Sequence, residues 1–383
     1  MKHNCDHLQL RALCYTAALA PASHLVPKVT ASIAGSGSWI APLIALPVIL
    51  IFVLLLSGLM NMRRDGEGLG ELILRAGGSG FGSIALILLA AFMIFDGGLL
   101  LRTAAGRFTD TIFPSSGPWF FIFIMLAMGT LAALGSVKAL PRSARVFAPI
   151  LTAILLLTLI FSFSSVDKTR LLPVSRSDTA GLFLSSLVVV EIYAGILTFA
   201  AVLEDQCPRR RGRFKSHILW SVLICLLLTV LSAVIIGSYG AGLTAKLSSP
   251  FFSMIRDVTL FRTVERIEAL VAALWVMSDF TLLALLLISS GHLLRLVLGH
   301  KPERGDVPML NMANGRWLIP VCAALAAAVA AFVPAQQEQL SFITQYIVPA
   351  VNLCAAFILL PVCYVIASCR RGNSPPRRRG NSV

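Results

Sequence analysis

Charged residues are scarce in this sequence: Asp, Glu, Lys and Arg make up 13% of its 383 residues, against about 25% in a typical soluble domain. Hydrophobic residues make up 57%. No soluble core could bury so large an apolar fraction, because a soluble domain needs polar residues for its surface. The composition therefore excludes an ordinary soluble protein.

Catalytic and metal-binding motifs are also missing. The eight cysteines form no CxxC pair and no other metal-ligand spacing, and there is neither a serine nucleophile elbow nor an HExxH motif. The glycine-rich segments 35–38 and 77–80 lack the lysine of a phosphate-binding loop. We therefore expect no enzymatic activity, no metal site and no cofactor.

What the sequence does contain is apolar runs long enough to cross a bilayer, which takes about 20 helical residues. Only helices and closed barrels satisfy backbone groups in lipid, and these runs do not alternate as barrel strands do. The sequence predicts an all-α membrane protein of about ten transmembrane helices. The runs are 8–27, 39–60, 81–101, 118–137, 146–166, 180–203, 217–239, 267–290, 317–333 and 342–368.

The net charge of +14 is distributed unevenly between the two sides of the predicted membrane domain, residues 1–369. With the N-terminus inside, 22 Lys and Arg fall on the inner side and 10 on the outer side, as the positive-inside rule requires. Both termini are therefore predicted to be cytoplasmic. The basic segment 370–383 is predicted to be a disordered tail that rests on anionic lipid. We interpret the basic charge as topogenic, with no nucleic acid as partner.

Three acids fall inside apolar runs and away from the run ends: Glu191 and Asp279 at the middle of theirs, and Asp96 nearer the outer end of the third run. A charge at the centre of the bilayer costs about 2.5 to 3.5 kcal/mol on insertion scales. Such residues are predicted to bind a ligand, an ion or a proton, since burial favours the uncharged acid. The alternative is a structural role, in which each acid is neutral and hydrogen-bonded to a neighbouring helix. For Asp96 a further alternative is an ion pair with Arg102.

A ligand pocket is predicted where transporter helices are interrupted. The first run contains Pro21, Ser23, His24 and a second proline, which favour a break. The sixth run contains no proline, and its interruption is predicted at the polar residues Glu191 and Tyr193 and at Gly195. Taken with Ser278 and Asp279 of the eighth run, these positions fit a transporter of five plus five helices in an inverted repeat, with helices 1 and 6 broken.

Helix ends at such breaks would suit a carboxylate ligand, and a side-chain acid would suit an ammonium group. The pattern therefore predicts a zwitterionic amino acid as ligand. The outer connection 240–266 fits either a short interfacial helix or an ordinary loop.

Several short patterns resemble one known family, and they occur in its order along nearly the whole chain. The landmarks are residues 39–43 (WIAPL), Leu101-Arg102, residues 145–149, residues 171–174 (LLPV) and residues 250–275, which include Arg266-Ile267-Glu268 and Trp275. In this respect the chain is similar to the spore germination permease family, the B subunits of nutrient germinant receptors.

The resemblance implies an amino acid/polyamine/organocation transporter-like fold with broken helices 1 and 6. It further implies the inner membrane of a bacterial spore, a small nutrient as ligand, and a complex with receptor A and C subunits. Glu191 matches the family's sixth-helix acid. Arg266, Glu268 and Trp275 match its eighth-helix pattern, where we expect structural or gating roles. The segment from Pro21 to His24 departs from the family's small-residue stretch.

Three functions remain open at this point. The first is a germinant-sensing subunit that binds a nutrient such as an amino acid at mid-membrane. The second is a proton- or cation-coupled amino acid transporter, with Glu191, Asp279 or Asp96 in the coupling role. The third is a structural membrane subunit whose pocket has degenerated.

Overall fold

The computed structural model describes residues 7–64, 67–111, 117–135, 138–172, 179–206, 213–257, 267–300, 315–333 and 337–372. Within these residues the secondary structure is helical, with no strand. The main helices are α1 (His7–Ala34), α2 (Ala41–Met60), α3 (Leu69–Thr111), α4 (Pro118–Leu134), α5 (Ala139–Ser162), α6 (Thr179–Val202), α7 (Arg213–Tyr239), α8 (Ala241–Lys246), α9 (Pro250–Asp257), α10 (Ile267–Val297) and α11 (Leu318–Phe332).

The chain ends in three further helices separated by short π-helical segments, Ile343–Ile347 and Ala355–Leu359. Together these residues, 337–372, form one rod that we call the C-terminal helix. Its α-helical parts are α12 (Gln337–Phe342), α13 (Val348–Cys354) and α14 (Leu360–Gly372).

Each of the ten predicted apolar runs coincides with a helix. Seven segments of the described chain are long and apolar enough to cross a membrane, and the first of them covers both α1 and α2. The shorter apolar helices α4 and α11 complete the set. The prediction of an all-α, multi-pass membrane protein is confirmed.

The helix α3 is much longer than its predicted run, with 43 residues. Gly78 interrupts it with φ 73° and ψ −175°, a backbone conformation that side chains with a Cβ avoid. The helix kinks there, and its later part continues ten residues beyond the predicted end at residue 101. This extension carries Arg107 into the helical bundle.

The structure differs from the prediction that helices 1 and 6 are broken, because neither helix contains an unwound segment. The helix α1 runs from His7 to Ala34 with Pro21 and Pro27 inside it, and α6 is regular from Thr179 to Val202. A proline removes one hydrogen bond of a helix but need not unwind it where neighbouring helices supply partners for the freed backbone groups.

The helix α1 is central, packing against α5, α6, α7 and α10, while α3 packs against α10 and α11. The outer connection 240–266 contains α9, whose Phe251, Phe252 and Ile255 are buried. It therefore includes a packed short helix, and residues 258–266 lie outside the described part.

A buried arginine ties α11 to α4. Arg316, 1% exposed, donates hydrogen bonds of 2.7 Å to the carbonyl oxygens of both Leu134 and Gly135. Helix-terminal carbonyls have no partner within their own helix. The guanidinium therefore caps α4 from the segment that precedes α11.

Candidate functional site

A cavity of about 80 Å³ lies between α1, α3, α6, α10 and the C-terminal helix. A buried water needs roughly 10 to 15 Å³, so the cavity has room for several waters or a small solute. Part of its wall is aliphatic, including Leu25, Ile192 and Val348. Its polar lining residues are His24, Asp96, Thr103, Arg107, Glu191, Thr344 and Asn352.

Glu191 is the buried acid of α6, with 2% of its surface exposed. Its Oε2 accepts a hydrogen bond of 2.8 Å from Nδ2 of Asn352 in the C-terminal helix. Gly195 lies one turn further on the same face of α6. A Cβ at that position would come within 2.7 Å of Asn352 Oδ1. The missing side chain thus lets Asn352 approach α6 and reach the carboxylate.

Asp279 of α10 forms an ion pair with Arg107, which lies in the extension of α3. The distance from Arg107 Nη2 to Asp279 Oδ2 is 2.6 Å, and the two side chains are 10% and 3% exposed. Asp279 Oδ1 is buried, and no residue in the described part of the chain donates a hydrogen bond to it. The only arginine among the cavity-lining residues is therefore already paired with an acid.

Asp96 faces the same cavity from α3, and no described residue donates a hydrogen bond to it. The alternative role for Asp96, a pair with Arg102, is not found among the described residues. Six residues along a helix place the two side chains on different faces, and the guanidinium of Arg102 lies 5.7 Å from the ring centroid of Trp119.

Ser278 of α10 opens the hydrogen-bond ladder of α1 at the level of the cavity. Its hydroxyl donates to the carbonyl oxygen of Thr16 at 2.5 Å and accepts from the N–H of Ala20 at 2.8 Å. These are the two backbone groups that would pair with each other in an uninterrupted α-helix. The predicted discontinuity is thus a side chain inserted just before Pro21, without an unwound segment.

Two further contacts hold α1 to the outer part of the bundle. Trp275 Nε1 donates to Ser23 Oγ at 2.9 Å, and Trp275 packs against Phe251 of α9 with 4.7 Å between ring centroids and an interplanar angle of 38°. His24 Nδ1 lies 3.1 Å from Ser249 Oγ. Ser23 and Trp275 therefore support α1, while His24 also lines the cavity.

The structure places the remaining predicted residues as follows. Pro21, His24, Asp96 and Glu191 line the cavity. The Tyr193 hydroxyl lies 3.4 Å from Ser221 Oγ on another side of α6, because residues two apart do not share a helix face.

The structure does not describe the side chains of two residues for which gating roles are predicted. Arg266 and the side chain of Glu268 lie outside the described residues.

Sequence reasoning missed Arg107 and Asn352. Arg107 lies beyond the end of the third apolar run, so it was counted as an outer-loop charge. Its spacing from Asp96 and Thr103, eleven and four residues, is a helical signal that could have identified it. Asn352 is a lone amide in the last apolar run, and a buried amide in a membrane helix needs a hydrogen-bond partner.

A second cavity, of about 430 Å³, lies between α3 and the C-terminal helix. It is larger, but its lining is apolar apart from Cys354, and several lining residues, such as Phe81 and Leu88, are exposed on the apolar surface of the bundle. Because it offers no charge or amide to a ligand, we place the candidate site in the smaller cavity.

Comparison with known proteins identifies a family and a fold. A family model described as "Spore germination protein" matches residues 7–337. Among individually curated protein sequences, none matches the chain significantly.

Two solved structures illustrate the fold. One is Mhp1, a nucleobase-cation-symport-1 family transporter solved in a closed conformation with bromovinylhydantoin bound. It has a TM-score of 0.63 and 14% identity, over 94% of this chain and 77% of Mhp1. The other is a Na⁺-coupled sialic acid symporter in a substrate-bound outward-open state. It has a TM-score of 0.59 and 10% identity, over 94% of this chain and 88% of the symporter. At these identities the likeness shows a transporter fold and nothing finer.

Proposed function

We propose that this chain, which belongs to the spore germination protein family, is the membrane subunit of a nutrient germinant receptor. It binds a small nutrient such as an amino acid in the cavity between α1, α3, α6, α10 and the C-terminal helix, and binding triggers germination. The protein resides in the inner membrane of a spore and acts together with receptor A and C subunits.

The observation that carries this proposal is the polar lining of the cavity. Two acids, Asp96 and Glu191, and the amide of Asn352 line it from helices that are otherwise apolar, and Arg107 lines it from the end of α3. Charges at such depth are costly and are retained mainly where they serve a ligand, an ion or a proton. A ligand can trigger a response only if it binds one conformation more tightly than another. The α1 ladder, opened by Ser278 beside the cavity, supplies an element that can change conformation.

Spores that carry Glu191→Gln test this function. Because the substitution removes the buried carboxylate but keeps its shape, we expect germination to fail or to require a different nutrient, scored as loss of optical density across amino acids and sugars. Thr158→Val, a buried and nearly isosteric change in α5 whose hydroxyl bonds only to its own helix, is the matched control. Unchanged germination of the Glu191→Gln spores would refute the proposal and favour a purely structural subunit.

A coupled amino acid transporter is the second candidate, and the fold favours it. Both solved relatives are transporters by their titles, one of them Na⁺-coupled. Uptake of labelled amino acids into proteoliposomes separates the two functions. Accumulation driven by a proton or Na⁺ gradient would establish transport, whereas saturable binding without flux supports sensing.

A further inference from the structure

Apart from His24 and Arg107, the polar groups that line the cavity offer mainly acceptors. Thr103 donates its hydroxyl hydrogen to the carbonyl oxygens of Leu99 and Leu100, and Thr344 donates to those of Leu340 and Ser341. Both hydroxyls therefore offer only lone pairs to a ligand. Ionised Asp96 and Glu191 are likewise acceptors only.

Asn352 adds a further acceptor that is fixed in place. It is 5% exposed, its Nδ2 is bonded to Glu191, and its buried Oδ1 accepts no hydrogen bond from any described residue. Contact with α6 at Gly195 leaves its amide little room to turn. A buried amide oxygen without a partner costs free energy unless something donates to it.

The positive charge of the cavity is not available to balance these acceptors. Arg107 is engaged by Asp279, and eleven residues of helix separate it from Asp96, a rise of about 16 Å between the two Cα atoms. Among the described residues that line the cavity, no Lys or Arg other than Arg107 is present to balance Asp96 and Glu191. Two like charges in one site are unfavourable unless a proton or a cation joins them.

We infer that the cavity recognises its ligand through a protonated amine, held by Asp96, Glu191 and Asn352, and that a ligand carboxylate is not required. A primary ammonium group supplies three N–H donors and one positive charge, which match the acceptors present. The continuous helices α1 and α6 offer no helix N-terminus for a carboxylate. The aliphatic part of the wall takes a short hydrocarbon group. This inference rests on the proposed function, since it names the class of ligand that the same cavity takes.

The test measures binding to the purified full-length protein in lipid nanodiscs by isothermal calorimetry. The probes are four molecules with similar hydrocarbon groups: valine, valinamide, isobutylamine and 3-methylbutanoate. We expect the three amines to bind within about threefold of each other and 3-methylbutanoate at least about 10-fold more weakly, because it cannot make the charge-assisted hydrogen bonds. Equal binding of 3-methylbutanoate, or no binding of any amine up to 20 mM, would overturn the inference.

Variants assign the selectivity to the cavity. Asn352→Leu and Asp96→Asn should each remove most of the preference for the amines, while Thr158→Val keeps it. Asp96 has no side-chain partner to lose among the described residues, so Asp96→Asn remains informative if Asn352→Leu does not fold. A preference that survives both substitutions would place the amine elsewhere and refute the assignment.

Sodium chloride against choline chloride distinguishes an organic amine from a metal ion. If Na⁺ binds with the same dependence on Asp96 and abolishes amine binding, the site is a metal-ion site and the inference falls.

The two proposals fail separately. Amine-selective binding combined with normal germination of Glu191→Gln spores would leave the inference standing and remove the nutrient-sensing role. Germination that depends on Glu191, combined with binding of 3-methylbutanoate as tight as that of the amines, would remove the inference and leave the nutrient-sensing role standing.

Discussion

The buried pair between Arg107 and Asp279 should make a large and mutually dependent contribution to stability. The atoms are 2.6 Å apart and both side chains are nearly buried. Two unit charges about 4 Å apart attract by about 4 kcal/mol at an effective dielectric constant of about 20. Removal of one partner leaves the other charge buried alone, which typically costs about 3 to 5 kcal/mol.

We therefore expect Arg107→Met and Asp279→Asn each to lower the free energy of unfolding by about 3 to 5 kcal/mol. The double variant should lose much less than the sum, because it leaves no unpaired charge. A double-mutant cycle on the protein in detergent micelles, unfolded by denaturant, gives the coupling free energy. The exposed pair of Asp167 with Arg170 is the control, and we expect no measurable coupling there.

A coupling free energy below about 1 kcal/mol between Arg107 and Asp279 would refute this reasoning. It would mean that water or a neighbouring group solvates one of the charges. The guanidinium would then be free to take a ligand's carboxylate, contrary to the division of charge described for the cavity.

Three further predictions concern single side chains. Gly195→Ala should lower the unfolding free energy by about 1 to 3 kcal/mol, seen as a lower melting temperature, because its Cβ would meet Asn352 at 2.7 Å. Ser278→Ala should cost about 1 to 3 kcal/mol in the same assay, because two buried backbone groups of α1 lose their bridging hydroxyl. Hydrogen bonds from the N–H and hydroxyl of Thr169 hold the pKa of Asp167 below its usual range, so their stabilisation is present above the unfolded pKa of about 3.9. It should be lost as the pH falls through the lower folded value, measured as lower protection of residues 167–171 against hydrogen exchange after correction for the intrinsic rate at each pH, and Asp167→Asn should remove this dependence.

Matched controls make these outcomes decisive. Gly242→Ala adds a Cβ where no atom lies within 4 Å, so a loss equal to that of Gly195→Ala would contradict the packing argument. Thr281→Val removes a hydroxyl that bonds only within α10, and it should cost less than Ser278→Ala. If Ser278→Ala has the same free energy of unfolding as the wild type, the N–H of Ala20 bonds directly to the carbonyl oxygen of Thr16. If the protection of residues 167–171 against hydrogen exchange does not change with pH, the role given to Asp167 is contradicted.

The helices were predictable because each run of apolar residues has only one low-energy structure in lipid. Backbone groups must pair within the segment, so length and composition suffice to locate a helix. Helix ends were less predictable. Polar residues such as Arg107 extend α3 well beyond its apolar run, since there they meet a partner on α10 rather than water.

The site was predictable only in part, because a sequence gives the depth of a residue but not its partner across the bundle. The central positions of Glu191 and Asp279 followed from counting along their runs. Their partners, Asn352 and Arg107, depend on contacts 161 and 172 residues away. The break at Pro21 was sought in α1 alone, whereas the discontinuity is produced by Ser278 of a different helix.

The cap that Arg316 places on α4 constrains how this bundle can rearrange. Pulling α11 away from α4 would break both hydrogen bonds of a buried guanidinium and leave the last carbonyls of α4 without these donors, at a cost of about 1.5 to 3 kcal/mol for each bond. We therefore expect α4 and α11 to move together in any conformational change that accompanies ligand binding. Relative motion is then expected between the pair α4 and α11 and the helices that pack around α1.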